Sequence, residues 1–288
     1  MSTASSENAA ERRRALYDRG FTISFACRAD PRFSYCLFVP EDLGEAGEPD
    51  LLVAVHGTGR AQEEYRNTFG EFGRYNNCVI LAPLFPAGVR GDDERDGYKY
   101  ILEGDIRYDE IVLSMVKEVE ERLAVSFPKF MMFGFSGGGH FTHRFLYLHP
   151  ERLKAVSIGS PGSITLLDDS RDWWVGIRNM KEMFGKSVDF DALRKVAVHL
   201  IVGGADTEGW EITHKPGGAR WMEGCNDAGK TRIERNTALK KSLESHGVTV
   251  KQEIVPNVAH SMRGVALHVK TFFLGVLKGK QDKTGKAA

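Results

Sequence analysis

One serine stands where the sequence indicates nucleophilic chemistry. Residues 130–135 (FMMFGF) are apolar and predict a strand, and the segment GFSGG at 134–138 follows the Gly-x-Ser-x-Gly pattern around Ser136. This pattern lifts a serine onto a sharp turn between a strand and a helix, from which its hydroxyl can attack a carbonyl carbon. Gly134 and Gly138 leave room where the strand and the helix crowd each other. The alternative is an ordinary glycine-rich turn in which the serine only caps the helix.

A serine nucleophile needs a general base, and we predict that His260 has this role. It lies in PNVAHSM, directly after residues 248–255, which predict a strand. Ligands of open parallel sheets bind beyond the carboxyl ends of the strands, so a histidine at this position can reach the reacting group. Among the nine histidines the only serious competitor is His214, which lies inside a long loop.

The acid that orients the histidine is predicted at Asp206. This residue lies in GGADTE after the apolar segment 196–202, and it falls between Ser136 and His260 along the chain. The order serine, acid, histidine is the one expected for a serine on this kind of turn. Other carboxylates remain as alternatives, and Asp206 itself can be read as a turn residue after two glycines. The alternative acids are Glu208, Asp168 and Asp169.

The segment HGTG at 56–59 follows another predicted strand and is the candidate for an oxyanion hole. Stabilising the negative oxygen of a tetrahedral intermediate requires backbone N–H groups that point at it. We predict that the N–H groups of Thr58 and Gly137 are these donors. A tight glycine turn without such a role is the alternative.

His140 and His143 lie three residues apart on the helix predicted over 138–148, a spacing that suits two metal ligands. A third ligand at a suitable spacing is not evident, so we expect both side chains to pack against neighbouring segments. The sequence therefore predicts neither a metal nor an organic cofactor.

Strands and helices alternate along most of the chain, which is typical of a parallel sheet covered by helices on both faces. The predicted fold class is α/β, with eight strands and an antiparallel first pair around Asp30. The predicted strands are 21–27, 33–39, 51–57, 78–83, 130–135, 153–159, 196–202 and 248–255. The predicted helices are 61–75, 105–124, 138–148, 231–246 and 262–278.

Three connections, 83–104, 160–195 and 203–230, are longer than a simple crossover turn requires, and long loops in compact domains often carry function. Within the second, residues 172–184 carry apolar side chains at helical spacing and predict a small cap helix, either over the site or docked on the core. Aromatic residues in these loops are candidates to line an acyl or aromatic pocket. The predicted substrate-binding residues are Trp173, Trp210 and Tyr98, with Phe85, Tyr100 and Trp221 near them.

The composition is that of an ordinary globular protein. The 288 residues carry 39 basic and 39 acidic side chains, which gives no electrostatic reason to bind nucleic acid or an anionic membrane. Four cysteines without metal spacing predict reduced, buried thiols, and the polar N-terminus predicts a cytoplasmic protein. We expect a polar lead with a short helix at 1–20, one domain at 21–278 with an insertion at about 160–195, and a disordered basic tail at 279–288. The oligomeric state is open, with a homodimer among the alternatives.

From about residue 33 to 278 the sequence resembles the α/β-hydrolase superfamily. The resemblance rests on HGTG at 56–59, GFSGGG at 134–139, GGAD at 203–206 and NVAHS at 257–261. Within the superfamily the chain is similar to esterases related to polyhydroxyalkanoate depolymerases and dienelactone hydrolases, and to the catalytic domain of prolyl oligopeptidases. It departs from the hormone-sensitive-lipase type, which carries HGGG where this chain has HGTG.

The resemblance implies a serine esterase that acts on a small-molecule carboxylic ester, with a small to medium acyl group or an aromatic group, through an acyl-enzyme. Two alternatives remain: a serine peptidase of the oligopeptidase type, and a ligand-binding protein that keeps the fold without catalysis.

Overall fold

The eight apolar segments form the strands of one sheet, as predicted. A computed structural model describes residues 12–13 and 16–284, with side chains up to residue 279, so most of the predicted N-terminal lead lies outside the described residues. The strands of the sheet are β1 (Gly20–Ala26), β2 (Ser34–Val39), β3 (Asp50–Val55), β4 (Cys78–Leu84), β7 (Phe130–Phe135), β8 (Leu153–Gly159), β9 (Ala197–Gly203) and β10 (Val250–Val255); a separate pair is formed by β5 (Leu102–Glu103) and β6 (Ile106–Arg107). The strand order in the sheet is β1-β2-β4-β3-β7-β8-β9-β10.

The helices predicted over 61–75, 105–124, 138–148, 231–246 and 262–278 are present, and the described residues also contain two short helices inside the 160–195 insertion. The last helix continues to Thr284, so the predicted tail begins within it, and residues 285–288 lie outside the described part of the chain. The helices are α1 (Gln62–Tyr75), α2 (Tyr108–Leu123), α3 (Gly137–Leu148), α4 (Met180–Phe184), α5 (Phe190–Leu193), α6 (Arg232–Ser245) and α7 (Met262–Thr284), with 3-10 turns at Gly97–Tyr100 and Pro150–Arg152.

The sheet has antiparallel pairs at the β1 end and parallel pairs beyond them. β1 pairs antiparallel with β2 through a turn in which Asp30 accepts hydrogen bonds from Arg32 and Phe33, which confirms the predicted hairpin. β2 is also antiparallel to β4, whereas β3 with β4, β8 with β9, and β9 with β10 are parallel. Every residue of β3 is buried, as its unbroken apolar run predicts for a strand covered on both faces.

Contacts divide the chain into two compact units. The N-terminal unit comprises residues 1–98 and 102–131, and the C-terminal unit comprises 99–101 and 132–288. In the N-terminal unit α1 approaches β4 so closely that a Cβ on Gly73 would lie 2.6 Å from the carbonyl oxygen of Cys78. In the C-terminal unit every residue of α3 is buried. The prediction of one domain over 21–278 stays a prediction.

The helix predicted over 172–184 is wrong for most of its length, because only Met180–Phe184 is helical. The preceding residues form a hydrogen-bonded loop, in which Leu166 donates to the carbonyl of Val175 and Ile177 donates to that of Asp168. Two of the apolar side chains at helical spacing still contact each other. Trp173 and Phe184 are buried, and their rings pack edge to face with centroids 4.8 Å apart.

All four cysteines are buried and free, as predicted. Within the described residues, none of the helices combines the length and the apolar character that crossing a membrane requires.

A buried histidine joins three strands of the C-terminal unit. His199 on β9 lies with Nδ1 2.9 Å from the Ser157 hydroxyl on β8, and with Nε2 3.4 Å from Oε1 of Glu253 on β10. Its ring stacks on Phe272 of α7, and it is fully buried. Burial, only partly offset by the Glu253 carboxylate, lowers the pKa of His199 to about 4. The ring is therefore neutral at neutral pH.

This histidine makes the protein sensitive to acid. As pH falls from 6.5 towards 4, the unfolded chain binds a proton at His199 that the folded chain does not, so the free energy of unfolding decreases. The expected contribution is on the order of 2–3 kcal/mol over this range. Urea unfolding at a series of pH values measures it. His199→Gln should flatten the slope, whereas the control Ser245→Ala, at an exposed position of the same unit, should keep it; equal slopes in His199→Gln and wild type would contradict the assignment.

Candidate active site

Ser136 occupies the turn between β7 and α3, as the sequence predicts. Its φ of 57° lies in the left-handed region, which is costly for a residue with a side chain. Two backbone hydrogen bonds fix the turn: the Ser136 N–H donates to the carbonyl of Gly159 at 2.9 Å, and its own carbonyl accepts from His140 at 3.0 Å. Ser136 is partly exposed although the residues on both sides of it are buried. A strained, accessible serine is the arrangement that a nucleophile requires.

The backbone around this turn is too crowded for a side chain at several of its glycines. A Cβ on Gly134 would collide with the carbonyl of Gly138 and with the Thr142 hydroxyl, which confirms the crowding predicted between strand and helix. The backbones at Gly139 and Gly159 are also too close for a side chain, because a Cβ on Gly139 would collide with the carbonyl oxygen of Gly159. The sequence pattern missed this second pair, since Gly159 ends a different strand.

Asp206 and His260 form a close pair at the ends of β9 and β10. His260 Nδ1 lies 2.7 Å from Asp206 Oδ2. Asp206 is 2% exposed, whereas the side chain of His260 is 30% exposed. The imidazole ring also packs on Phe135, the residue before Ser136, with ring centroids 4.9 Å apart. The structure thus brings the predicted acid and base together and sets the base beside the serine turn.

Backbone hydrogen bonds lock the two turns that carry this pair. The Gly204 N–H donates to the carbonyl of Val255, and the Ala205 N–H donates to that of Val258, both at 2.8 Å. A Cβ on Gly203 would collide with the carbonyl oxygens of Val258 and Ala259. Only glycine therefore allows the turns to approach closely enough for the carboxylate to reach the imidazole.

The charge on Asp206 is stabilised by its neighbours. Burial raises the pKa of this carboxyl, but the hydrogen bond and charge of His260, together with the charge of Arg232, more than offset burial, so the pKa lies below its usual range. Arg232 Nη1 donates to Asp206 Oδ1 at 3.1 Å. Asp206 is therefore ionised at neutral pH and accepts a hydrogen bond from the N–H at His260 Nδ1.

The alternative bases and acids have other partners. His214 Nε2 lies 2.8 Å from the Ser163 hydroxyl, and its ring packs on Trp174. Asp168 accepts hydrogen bonds from both the N–H and the hydroxyl of Ser170. Glu208 is exposed.

His140 and His143 hold the backbone that follows β8. His140 Nε2 accepts hydrogen bonds from the N–H groups of Gly162 and Ser163 at 2.6 and 3.1 Å, and His143 Nε2 accepts from Thr165 at 3.0 Å. Burial lowers the pKa of both rings well below the usual value, so both are neutral. The predicted packing role is the one observed, because backbone N–H groups donate to the Nε2 atom of both rings.

Arg144 is a part of this scaffold that sequence reasoning missed. It is fully buried and donates to the Thr165 hydroxyl and to the carbonyl of Lys99. Its guanidinium lies 4.6 Å from the ring centroid of Tyr100 and 5.6 Å from that of Trp174. A single sequence offers no signal for such a residue, because a buried arginine and an exposed one look alike.

In the N-terminal unit, the HGTG turn is fixed by its own contacts. His56 is buried, with Nδ1 2.8 Å from the carbonyl of Gly57, while Nε2 accepts from the Phe85 N–H at 3.0 Å. Arg60 donates to the carbonyl of Thr58 at 2.6 Å. Thr58 and Gly59 are exposed on this rigid turn. The oxyanion role of Thr58 stays a prediction.

The predicted substrate-binding aromatics differ in exposure. Trp210, four residues after Asp206, is 74% exposed. Trp173 is buried and its indole N–H donates to the carbonyl of Tyr100 at 3.2 Å. Tyr98 is 1% exposed and packs on His56 and Phe85. The structure gives Trp173 and Tyr98 packing contacts, and their binding role stays a prediction.

Comparison with known proteins identifies the fold. No model of a known protein family matches the sequence, and no curated protein matches it. Among solved structures, poly(aspartic acid) hydrolase-1 from Sphingomonas sp. KT-1 matches with a TM-score of 0.71 and 18% identity, over 88% of this chain and 98% of that one. The poly(3-hydroxybutyrate) depolymerase of Bordetella parapertussis matches with a TM-score of 0.65 and 17% identity, over 84% and 83%. An S-formylglutathione hydrolase from Agrobacterium tumefaciens matches with a TM-score of 0.54 and 16% identity, over 89% and 93%.

Two of these proteins are named as hydrolases and one as a depolymerase, and each match spans most of both chains. The eight-stranded, mostly parallel sheet with its helices fits these matches. The chain therefore has the α/β-hydrolase fold.

Proposed function

We propose that this chain is a serine hydrolase that cleaves a carboxylic ester with a small to medium acyl group or an aromatic group. The observation that carries the proposal is the 2.7 Å contact between His260 Nδ1 and the buried carboxylate of Asp206, beside a serine held at positive φ. A buried carboxylate with an exposed imidazole is unusual outside catalytic sites, because burying a charge is costly unless it is paired.

The reaction follows from the hydrogen bonding. Because Nδ1–H donates to Asp206, His260 Nε2 carries a free lone pair and can accept the proton of the Ser136 hydroxyl. Ser136 then attacks the carbonyl carbon of the ester and forms a tetrahedral intermediate. His260 returns the proton to the leaving alcohol, which yields an acyl-enzyme. Water, activated by the same imidazole, releases the acid and restores the serine.

The N–H of Gly137 is the oxyanion donor that we propose from the C-terminal unit. Gly137 directly follows the nucleophile and is the first residue of α3. The first N–H groups of a helix have no partner within the helix, so this N–H is available to an oxyanion. The N–H of Thr58 is the proposed second donor. Neither role requires a metal or a cofactor.

Three arguments support an ester as the substrate. The motifs resemble those of esterases, and two of the similar structures are a depolymerase of a polyester and an S-formylglutathione hydrolase. Trp210 offers an exposed aromatic face on the loop after Asp206, which suits contact with an acyl or aromatic group. An amide substrate is the second candidate, because a poly(aspartic acid) hydrolase matches with a TM-score of 0.71.

Replacing the nucleophile tests the reaction. We expect wild-type protein to hydrolyse p-nitrophenyl esters, and Ser136→Ala to lower kcat by at least about 10⁴-fold, since alanine has no hydroxyl to form the acyl-enzyme. Turnover of esters from acetate to dodecanoate measures both the effect and the preferred chain length, and p-nitroanilides test the amide candidate.

The matched control for this experiment is Ser114→Ala. The Ser114 hydroxyl only bonds to the carbonyl of Glu110 within α2, so the control should keep wild-type rates. Equal turnover in Ser136→Ala and Ser114→Ala would refute Ser136 as the nucleophile.

Replacing the acid tests how the base is oriented. Asp206→Asn keeps the shape but offers an amide that favours the wrong imidazole tautomer, so kcat should fall by about 10³–10⁴-fold while KM changes little. Because the pKa of Asp206 lies below its usual range, Asp206 remains ionised in mildly acidic solution. A loss of activity in mildly acidic solution should then not come from protonation of Asp206.

Asp169→Asn is the control for the acid, because Asp169 is an exposed carboxylate that the sequence alone left as an alternative. Steady-state kinetics of the two variants side by side decide between the candidates. A large loss in Asp169→Asn with none in Asp206→Asn would reverse the assignment.

A further inference from the structure

Arg232, the first residue of α6, binds the carboxylate of Asp206, the proposed catalytic acid, at the oxygen that His260 does not contact. It is 3% exposed, and its Nη1 donates to Asp206 Oδ1 at 3.1 Å and to the carbonyl of Glu208 at 3.2 Å. The other oxygen of Asp206, Oδ2, binds His260. Both oxygens of the Asp206 carboxylate are therefore hydrogen-bonded, Oδ1 to the Arg232 guanidinium and Oδ2 to the His260 imidazole.

The same guanidinium reaches a second carboxylate at the surface. Arg232 Nη2 donates to Glu211 Oε2 at 2.8 Å, and the Glu211 side chain is 49% exposed. Glu211 directly follows Trp210, the exposed aromatic residue of this loop. Charges of alternating sign therefore run from Asp206 through Arg232 to Glu211, and His260 is hydrogen-bonded to the Asp206 end of this series.

We propose that Arg232 is a positioning residue that couples the surface loop at Glu211 to the catalytic pair of Asp206 and His260. Arg232 orients Asp206, and Glu211 controls how much of the positive charge of Arg232 this pair experiences. This inference rests on the proposed function. A cation beside Asp206 disfavours a proton on His260, and a carboxylate beside the cation weakens that effect. A substrate that displaces Glu211 or Trp210 would thereby change the strength of the base.

Other charged groups lie near this chain of contacts and have to stay constant in a test. His140 on α3 and Arg235 on α6 both experience the charge of Arg232. His140 is buried, and burial holds its pKa well below the usual value, so it is neutral at neutral pH. Arg263 on α7 is exposed one turn after His260. None of these residues is altered in the variants below.

The test is the pH dependence of kcat/KM for a p-nitrophenyl ester between pH 5 and 9. Arg232→Gln should raise the midpoint of the acid limb by about 0.5–1 pH unit, because the cation is lost. Glu211→Gln should lower the midpoint by a few tenths of a pH unit, because the cation is then less neutralised. Opposite shifts are the signature of coupling, since general damage to the fold would not move the two midpoints apart.

Two further variants separate charge from geometry. Arg232→Lys keeps the charge, so its midpoint should stay near wild type, but one ammonium cannot reach all three acceptors, and kcat should fall several-fold with little change in KM. Lys240→Gln on the same helix removes an exposed pair with Glu244 and should match wild type in both respects. Should Arg232→Gln fail to fold, Glu211→Gln and Arg232→Lys carry the test.

A titration that does not depend on turnover completes the experiment. In the Ser136→Ala background, NMR follows the His260 ring, identified by its loss in His260→Gln, with and without the Glu211 substitution. A lower midpoint in Glu211→Gln supports the coupling, and coincident midpoints overturn it. Persistence of hydrolysis in Ser136→Ala would instead remove the proposed function, so the two failures are distinguishable.

Discussion

The contact between Asp206 and His260 is the constraint on which the site depends, because it joins residues 54 positions apart. Its 2.7 Å distance requires the turns after β9 and β10 to touch. Two parallel neighbouring strands bring these turns to the same edge of the sheet. The absence of a side chain at Gly203 then lets the backbones meet, and hydrogen bonds from Gly204 and Ala205 fix them. Strand pairing, a missing Cβ and two backbone bonds thus set the geometry of the proposed base.

Buried polar side chains form the second layer of support. His140, His143 and Arg144 on α3 each bond to the segment 162–165, and the N–H of Ser160 donates to the carbonyl of Ile201 on β9. Such groups are costly to bury unless they are hydrogen-bonded, so their partners are well defined. The helix that begins at the nucleophile is therefore joined to the strand that leads to the acid. Rigid support of this kind is what catalytic side chains require.

Much of this architecture could be predicted from local sequence. Unbroken apolar runs such as residues 51–55 gave the strands, and the glycines around Ser136 gave the turn, because both depend on nearby residues. The pairing of Asp206 with His260 followed from their places after successive strands. The roles of Arg232 and Arg144 could not be found in this way. Each role depends on which distant carbonyl or carboxylate lies within 3 to 4 Å, and a sequence pattern does not contain that distance.

The predicted helix over 172–184 shows a different limit. The apolar side chains at positions 173, 177, 180 and 184 have helical spacing, but Trp173 is buried from a loop and only Met180 and Phe184 from a helix. A Cβ on Gly176 would collide with the carbonyl oxygen of Asp168, which shows how compact that loop is. Periodicity reports which residues are buried, and here tertiary contacts decided the backbone conformation.

The central claim is that Ser136 is a nucleophile activated by its surroundings. Labelling with a fluorophosphonate tests this directly, because such a reagent phosphonylates an activated serine hydroxyl and leaves ordinary serines unmodified. After digestion, mass spectrometry locates the adduct among the 16 serines. The account predicts one adduct, on the peptide that carries Ser136, and its loss in His260→Gln. An adduct on another serine, or no adduct on folded protein, would contradict it.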